Sequence, residues 1–276
     1  MDKLILASKM KRLNTWLDTR WQPAGFVCRQ YAGAPFGEAY VTIDPDRQAP
    51  QASFNHNRVY LCGAEPGLRP EGLQQLIGMF RDAGVRRFFV WLSPGPDMEL
   101  VRNWLKQAGL SPNPWVAFPT LLRDSDAPIL FKTELDIREV DADQVAGARA
   151  ELGDFMWPQY IRSAGKDGCF HFMAFDGDRP VATGELCMFE DIGYLANGST
   201  KESDRGRGAQ QALIAHRIAK AAELGCSTTV VETLSLLEQS LRNLQRAEFQ
   251  TVYDKEVYVW NGAEGGASAA GGLAPS

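Results

Sequence analysis

The sequence predicts a mixed α/β (α+β) chain built as two domains. Three observations predict it. A helix–strand–helix order runs through the C-terminal half, the same order recurs in the N-terminal half, and a polar, turn-prone stretch, Leu122-Arg123-Asp124-Ser125-Asp126-Ala127-Pro128, separates the two. The chain has 276 residues, 45% of them apolar and 23% charged, enough for one large domain or two ordinary ones with a full core. The expected bounds are 1–125 and 126–262, with 263–276 as a tail.

Along the chain, Met1 to Lys9 holds an apolar run too short for a secretory core, and Lys9 and Lys11 interrupt it. No stretch is long enough to span a bilayer, so no membrane partner is expected and the cytoplasm is the default address. Leu73, Leu76, Ile77 and Phe80 form a helical stripe that closes at Gly84, and Arg87–Leu92 reads as a strand. Leu100, Val101, Trp104, Leu105 and Ala108 form a second stripe before Gly109.

In the C-terminal half, Asp191–Thr200 reads as a strand. Ala209–Leu224 reads as an amphipathic helix, with Ile214, Ile218, Ala221 and Ala222 on one face and Arg217, Lys220 and Glu223 off it. Gly225 suits its C-terminus. The β-rich Ser227–Thr233 follows, then Leu237, Leu241 and Leu244 at helical spacing, then the alternating Tyr253–Trp260. Gly84 to Gly109 is 25 residues and Gly225 to Glu248 is 23, and Gln-Gln-Leu of the first half stands beside Gln-Gln-Ala-Leu of the second. The halves read as a duplication. After Asn261 the chain is almost all Gly, Ala, Ser and Pro, which cannot bury enough surface to offset its ordering entropy, so it is expected to be a flexible tail.

A net charge of −5 provides no global attraction for nucleic acid, and none is expected as a partner. The five cysteines are scattered and without a CxxC pair, which predicts reduced thiols. His56, His171 and His216 lack ligand spacing, so no metal is expected. His171, in a strand, and His216, in a helix, read as structural.

The chemistry concentrates between the Asp191–Thr200 strand and the Ala209–Leu224 helix, at Arg205-Gly206-Arg207-Gly208-Ala209-Gln210. Strand, glycine-rich turn and helix is a geometry that binds phosphate. The first helix amides lack intrahelical partners, and the dipole adds positive potential there. Gly206 and Gly208 let the backbone curl toward an anion, and Arg205 and Arg207 add cations. A Walker loop would need Gly-Lys-Ser/Thr, and a dinucleotide turn would need a third glycine where Gln211 stands. The alternative is a solvated Arg-Gly turn that only starts a helix.

In these residues the sequence resembles the GNAT superfamily of acyl-CoA-dependent N-acyltransferases. The family signature Arg/Gln-x-x-Gly-x-Gly/Ala matches Arg205–Gln210 except that Gln210 replaces the small residue. Ser240–Phe249 is similar to the family's fourth helix and closing Gly-Phe, with Glu248 for the glycine. The resemblance covers about Leu135 to Trp260. It implies two GNAT-like domains, each a mixed, mostly antiparallel sheet flanked by helices, the first of them degenerate. There Pro70 and Glu71 stand where Gly206 and Arg207 stand in the second. Pro70 removes an amide and Glu71 places negative charge at a pyrophosphate position.

The resemblance also implies acetyl-CoA as co-substrate, held by Arg205–Gln210, by backbone of Gly198, Ser199 and Thr200, and by Asn243. It implies direct attack by an amine in a ternary complex, a backbone amide steadying the oxyanion, and a base to keep the amine neutral. Glu232, ending the Ser227–Thr233 strand, is the first candidate base and Glu185 the second; the alternative for each is a solvated strand carboxylate. Leu244 stands where the family often has a tyrosine acid, so no such acid carries over. Phe155, Trp157 and Tyr160 are candidate acceptor contacts, with core packing as the alternative.

Three functions remain open from the sequence. One is acetylation of a primary amine on a small molecule. Another is a non-catalytic acyl-CoA sensor, and the third is acetylation of a protein amino group. A monomer or a homodimer is expected.

Overall fold

The computed structural model describes residues 1–23, 25–44, 56–113, 117–124, 127–153 and 156–262. Within them the chain forms two compact units, Met1–Ala24 with Trp115–Lys255, and Gly25–Pro114 with Glu256 onward. The expected division near residue 125 is therefore not the one that the chain adopts, and the expected tail beyond Gly262 lies outside the described residues.

In the first unit the strands are β6 (Phe118–Arg123), β7 (Asp136–Val140), β8 (Cys169–Asp176), β9 (Arg179–Phe189), β10 (Ile192–Thr200), β11 (Thr228–Glu232) and the first half of β12 (Gln250–Asn261). They run side by side as β12-β6-β11-β10-β9-β8-β7, antiparallel except for the β10–β11 pair. One face is packed by α6 (Ala209–Glu223) and α7 (Glu238–Arg246). There Leu213, Ile214, Ile218 and Leu244 meet Leu186, Leu195 and Val231. The other face is covered by α1 (Lys3–Trp21), an element that the sequence reading did not anticipate. Its Leu6, Met10, Leu13 and Leu17 are fully buried against Cys187, Ile192, Tyr194, Ala196, Val230 and Tyr253. Each such side chain contributes about 1.5–3 kcal/mol on leaving water. Asp2 starts α1 by accepting the Leu4 amide at 2.8 Å. The short helices α4 (Ala142–Leu152) and α5 (Pro158–Ser163) close a further cluster around Tyr160 and Met173.

The second unit orders its strands β1 (Val27–Gln30), β2 (Tyr40–Ile43), β3 (Arg58–Cys62), β4 (Arg87–Ser93) and the second half of β12, which also pairs with the two-residue β5 (Ser111–Pro112). Only β3–β4 is parallel. Helix α2 (Pro70–Asp82) buries Leu73, Leu76, Ile77 and Phe80 as its stripe predicts, and α3 (Met98–Gln107) buries Val101 and Leu105. Leu100, expected on that stripe, is exposed.

The predicted repetition is present, because β3-α2-β4-α3 and β10-α6-β11-α7 follow the same course. The polar break is not a linker along its whole length. Leu122 and Arg123 are buried within β6, which lies beside β11 in the first unit. Among the described residues no helix is long and apolar enough to cross a membrane.

Candidate functional site

The site begins where two parallel strands part. β10 and β11 pair from Ile192↔Thr228 to Leu195↔Val231, and there the pairing ends. β10 runs on through Ala196 to Thr200, and its pairing with β9 shifts register between Ala196 and Ser199, with Asn197 at φ 46°. Such a bulge re-aims backbone next to a binding site. The expected contacts Gly198, Ser199 and Thr200 thus lie on the stretch of β10 that outruns β11.

After β10, a 3-10 turn at Glu202–Asp204 leads into Arg205–Ala209. Gly206 has φ 83° and open space at its missing Cβ. Gly208, the N-cap of α6, has φ 81°, and a Cβ there would lie 3.1 Å from the Lys132 carbonyl oxygen. Thr133 Oγ1 donates to the Arg207 carbonyl at 2.8 Å and fixes the bend. No side chain caps α6 and its first turn carries no acid, so its leading amides remain available to an anion.

The side chains of the loop are arranged differently from the expectation. Arg207 Nη1 is already engaged, 2.8 Å from Asp176 and 3.1 Å from Asp204, and Arg179 binds the same two carboxylates. Arg207 and Arg179 hold Asp176 down at about 2, and Arg179 above all holds Asp204 well below the usual carboxylate range. Arg207 therefore stiffens the loop rather than supplying a spare cation. Arg205 remains exposed, 3.8 Å from Glu202.

Gln210, where the family has a small residue, turns inward. Its amide donates to the Ser199 carbonyl at 2.7 Å and to Thr200 Oγ1 at 3.0 Å. Gly198 leaves room for it, since a Cβ there would lie 2.9 Å from the Gln210 oxygen. The departure from the signature ties helix to strand. Ala209 is buried. Asn243 is also buried on α7, where its oxygen accepts from Gln239 at 3.1 Å.

Both candidate carboxylates lie on the α1 face beside the parting strands, and neither is solvated. Glu232 is the residue after the last β10–β11 pair, and its Oε1 lies 2.7 Å from Lys255 Nζ, both side chains 1% exposed. It also accepts from Thr120 Oγ1 at 3.0 Å and Asn14 Nδ2 at 3.5 Å. Glu185 pairs across to Ala196 and is fully buried. It accepts from Asn197 Nδ2 at 2.5 Å, Cys187 Sγ at 3.3 Å and Trp21 Nε1 at 3.4 Å.

Behind Glu185 on the opposite face lies Arg217. Its Nη1 donates to the Ala196 carbonyl at 3.0 Å and the Glu185 carbonyl at 3.2 Å, and burial lowers its guanidinium to about 10. Arg217, read as lying off the apolar face of its helix, is buried. Gly184 makes the space, since a Cβ there would lie 2.9 Å from the guanidinium carbon.

Of the expected acceptor contacts, Tyr160 is core: it is fully buried and its hydroxyl donates to the Phe172 carbonyl at 3.0 Å. Trp157 is half exposed ahead of α5, and Phe155 lies outside the described residues. His171, read as structural, is buried on β8. Its ring lies 2.9 Å from the Tyr160 carbonyl, and burial lowers its pKa. His216 is on α6. The ligand atoms of Cys169, Glu185 and Cys187 converge within 4.8 Å, a cluster that sequence spacing hid because two strands supply it. The Cys187–Glu185 hydrogen bond accounts for part of this closeness.

The second unit lacks the parting of strands. β3 and β4 stay paired to Cys62↔Ser93. Beyond them the backbones remain in contact, with the Ala64 amide 2.6 Å from the Pro96 carbonyl, and a Cβ on Gly95 would lie 2.0 Å from the Cys62 carbonyl. Its helix α2 starts with Pro70 and carries Glu71 in the first turn.

Among solved structures, a GCN5-related N-acetyltransferase from Kribbella flavida shares 15% identity with this chain, with a TM-score of 0.65 over 96% of this chain and 97% of that one. The chain has the GNAT fold. A tandem GNAT protein from the clavulanic acid biosynthesis pathway, solved without acetyl-CoA, is 8% identical, with a TM-score of 0.61 over 90% of this chain and 87% of that one. A GCN5-related N-acetyltransferase from Sphaerobacter thermophilus is 15% identical, with a TM-score of 0.56 over 80% of each chain. No family profile and no curated protein matches the sequence.

Proposed function

We propose that the chain is an N-acetyltransferase that moves an acetyl group from acetyl-CoA to a primary amine on a small molecule by direct attack. One observation carries this reading: β10 outruns β11 over Ala196–Thr200 and leads to the uncapped N-terminus of α6. The pyrophosphate is held by amides from Gly206 to Gln210, and the amide-bearing pantetheine arm lies along Gly198–Thr200 as an added strand. The same stretch supplies the N–H that stabilises the oxyanion.

The amine approaches from the α1 face, where Glu232 receives its proton directly or through water; Glu185 is the second candidate. Leu244 is buried in the core, so the departing thiolate takes its proton from solvent. The second unit does not take coenzyme A, because its paired strands, Pro70 and Glu71 leave no cradle.

The missing tyrosine acid favours a second reading, an acyl-CoA sensor without turnover. Thiol release from acetyl-CoA across a library of primary amines separates the two. Saturable release with one amine class supports transfer, and coenzyme A binding without release from any amine supports the sensor.

A further inference from the structure

We infer that α1, an N-terminal helix that precedes both repeats, is a working part of the acceptor side, with Asn14 and Trp21 as positioning residues for the two carboxylates. This inference rests on the acetyl transfer proposed above. Glu185 and Glu232 lie on β9 and β11 with β10 between them, so they are roughly 10 Å apart at about 4.8 Å per strand. Asn14 and Trp21 are separated by two helical turns, about 10.5 Å. The helix crosses the sheet at the parting of the strands and meets one carboxylate with each residue: Asn14 Nδ2, which donates to the Met10 carbonyl of its own helix at 2.9 Å, also reaches Glu232 Oε2 at 3.5 Å, and Trp21 Nε1 is 3.4 Å from Glu185 Oε1.

The face that does this is unusual for a packed helix. Lys11, Asn14 and Asp18 are all more than nine-tenths buried, at the spacing of one stripe, among Leu6, Met10, Leu13 and Leu17. A helix kept only for packing has no use for a buried polar stripe, since burying each such group costs free energy unless it is paired. Asp18 lies between Asn14 and Trp21, and its Oδ1 accepts from Gln22 Nε2 at 3.0 Å. Lys255 on β12 pairs with Glu232, and Glu185 has His171 on β8 at 3.9 Å, Cys187 on β9 at 3.3 Å, and the Tyr160 hydroxyl on α5 and the Arg217 guanidinium on α6 close enough to act on it. Trp21 is anchored in turn, its carbonyl accepting from Arg162 and its ring meeting Tyr194 at 6.4 Å. Two donors on one rigid element thus add to the shorter bonds from Lys255, Thr120 and Asn197 and complete the orientation of both carboxylates relative to an incoming amine, the kind of support that holds reacting groups in place.

The test uses the full chain, acetyl-CoA and the amine that gives saturable thiol release. Trp21→Phe removes only the indole N–H, and Asn14→Leu removes the amide at similar volume. Each lowers kcat roughly tenfold, the size of one hydrogen bond to a charged group, with the KM for acetyl-CoA unchanged. Asn14→Gln restores part of the rate, and Leu4→Ala, on the exposed side of the helix, leaves it unchanged.

If Asn14→Leu does not fold, Trp21→Phe decides. Wild-type kcat in Trp21→Phe overturns the inference. So does a loss that appears equally in acetyl-CoA affinity and thermal midpoint, which marks a structural role. Absence of turnover by the wild-type chain with every amine instead removes the transferase reading itself, and shows before any variant is made.

Discussion

Gly208 and Gly206 share a left-handed backbone but not the same surroundings, and this separates what substitution does at each. A left-handed alanine costs about 1–2 kcal/mol. Gly206→Ala meets open space, so it loses about that much stability and little else. Gly208→Ala adds a Cβ against the Lys132 carbonyl, which shifts the first turn of α6 and weakens coenzyme A binding. Calorimetric titration of both variants should show the larger loss at Gly208; equal losses count against the loop geometry. Arg217 lies behind the same site. Arg217→Met leaves the Ala196 and Glu185 carbonyls without their donor and should destabilise the chain by about 2–4 kcal/mol in denaturant unfolding. A change below about 0.5 kcal/mol, as at a solvated arginine, would show that the guanidinium is not buried there. Helical spacing placed Arg217 with Lys220 and Glu223, because the glycine that admits it, Gly184, lies on a different strand far away in sequence. The sequence also showed the glycine turn correctly, yet not that Asp176 and Asp204 occupy Arg207, since Asp176 ends a strand distant in the chain.

The loop network gives the turn between β10 and α6 a pH signature. Arg207 and Arg179 depress Asp176, and Arg179 chiefly depresses Asp204, so both carboxyls favour the folded state when ionised. Both contributions are complete above the ordinary carboxylate range near pH 4; that of Asp176 is lost as pH falls through about 2, and that of Asp204, held lower still, only at more acid pH. The thermal midpoint of an Asp176→Asn/Asp204→Asn variant should therefore trail the wild type above pH 4, with the gap narrowing as pH falls toward 2. A gap independent of pH would count against the network. Among the elements, α2, β4, β10, α6 and β11 were legible, because their apolar periodicity is regular and glycines end their helices. Helix α1 was not, since Lys11, Asn14 and Asp18 interrupt its apolar face and disguise it as a polar leader. Helix α7 was half legible: Leu244 is buried, but Leu237 caps the helix and is exposed.

Taken together, the chain repeats β-α-β-α twice and then exchanges its closing strands. β6, the last strand of the first repeat, lies beside β11, while the second half of β12 lies beside β4. A boundary drawn from polarity alone falls between the repeats and misses this exchange, because strand partnership is a long-range property that no local composition reports. A fragment ending at residue 125 would carry β6 without its neighbours, so binding by the first repeat has to be tested in the intact chain. The two repeats differ where it matters: β10 and β11 part ahead of an uncapped helix, whereas β3 and β4 stay paired ahead of Pro70 and Glu71. Titration of coenzyme A into the full chain, with Gly208→Val as the comparison, tests this most directly. The structure predicts one coenzyme A per chain and none in the variant. Two per chain, unchanged binding by Gly208→Val, or no binding by the wild type would contradict it.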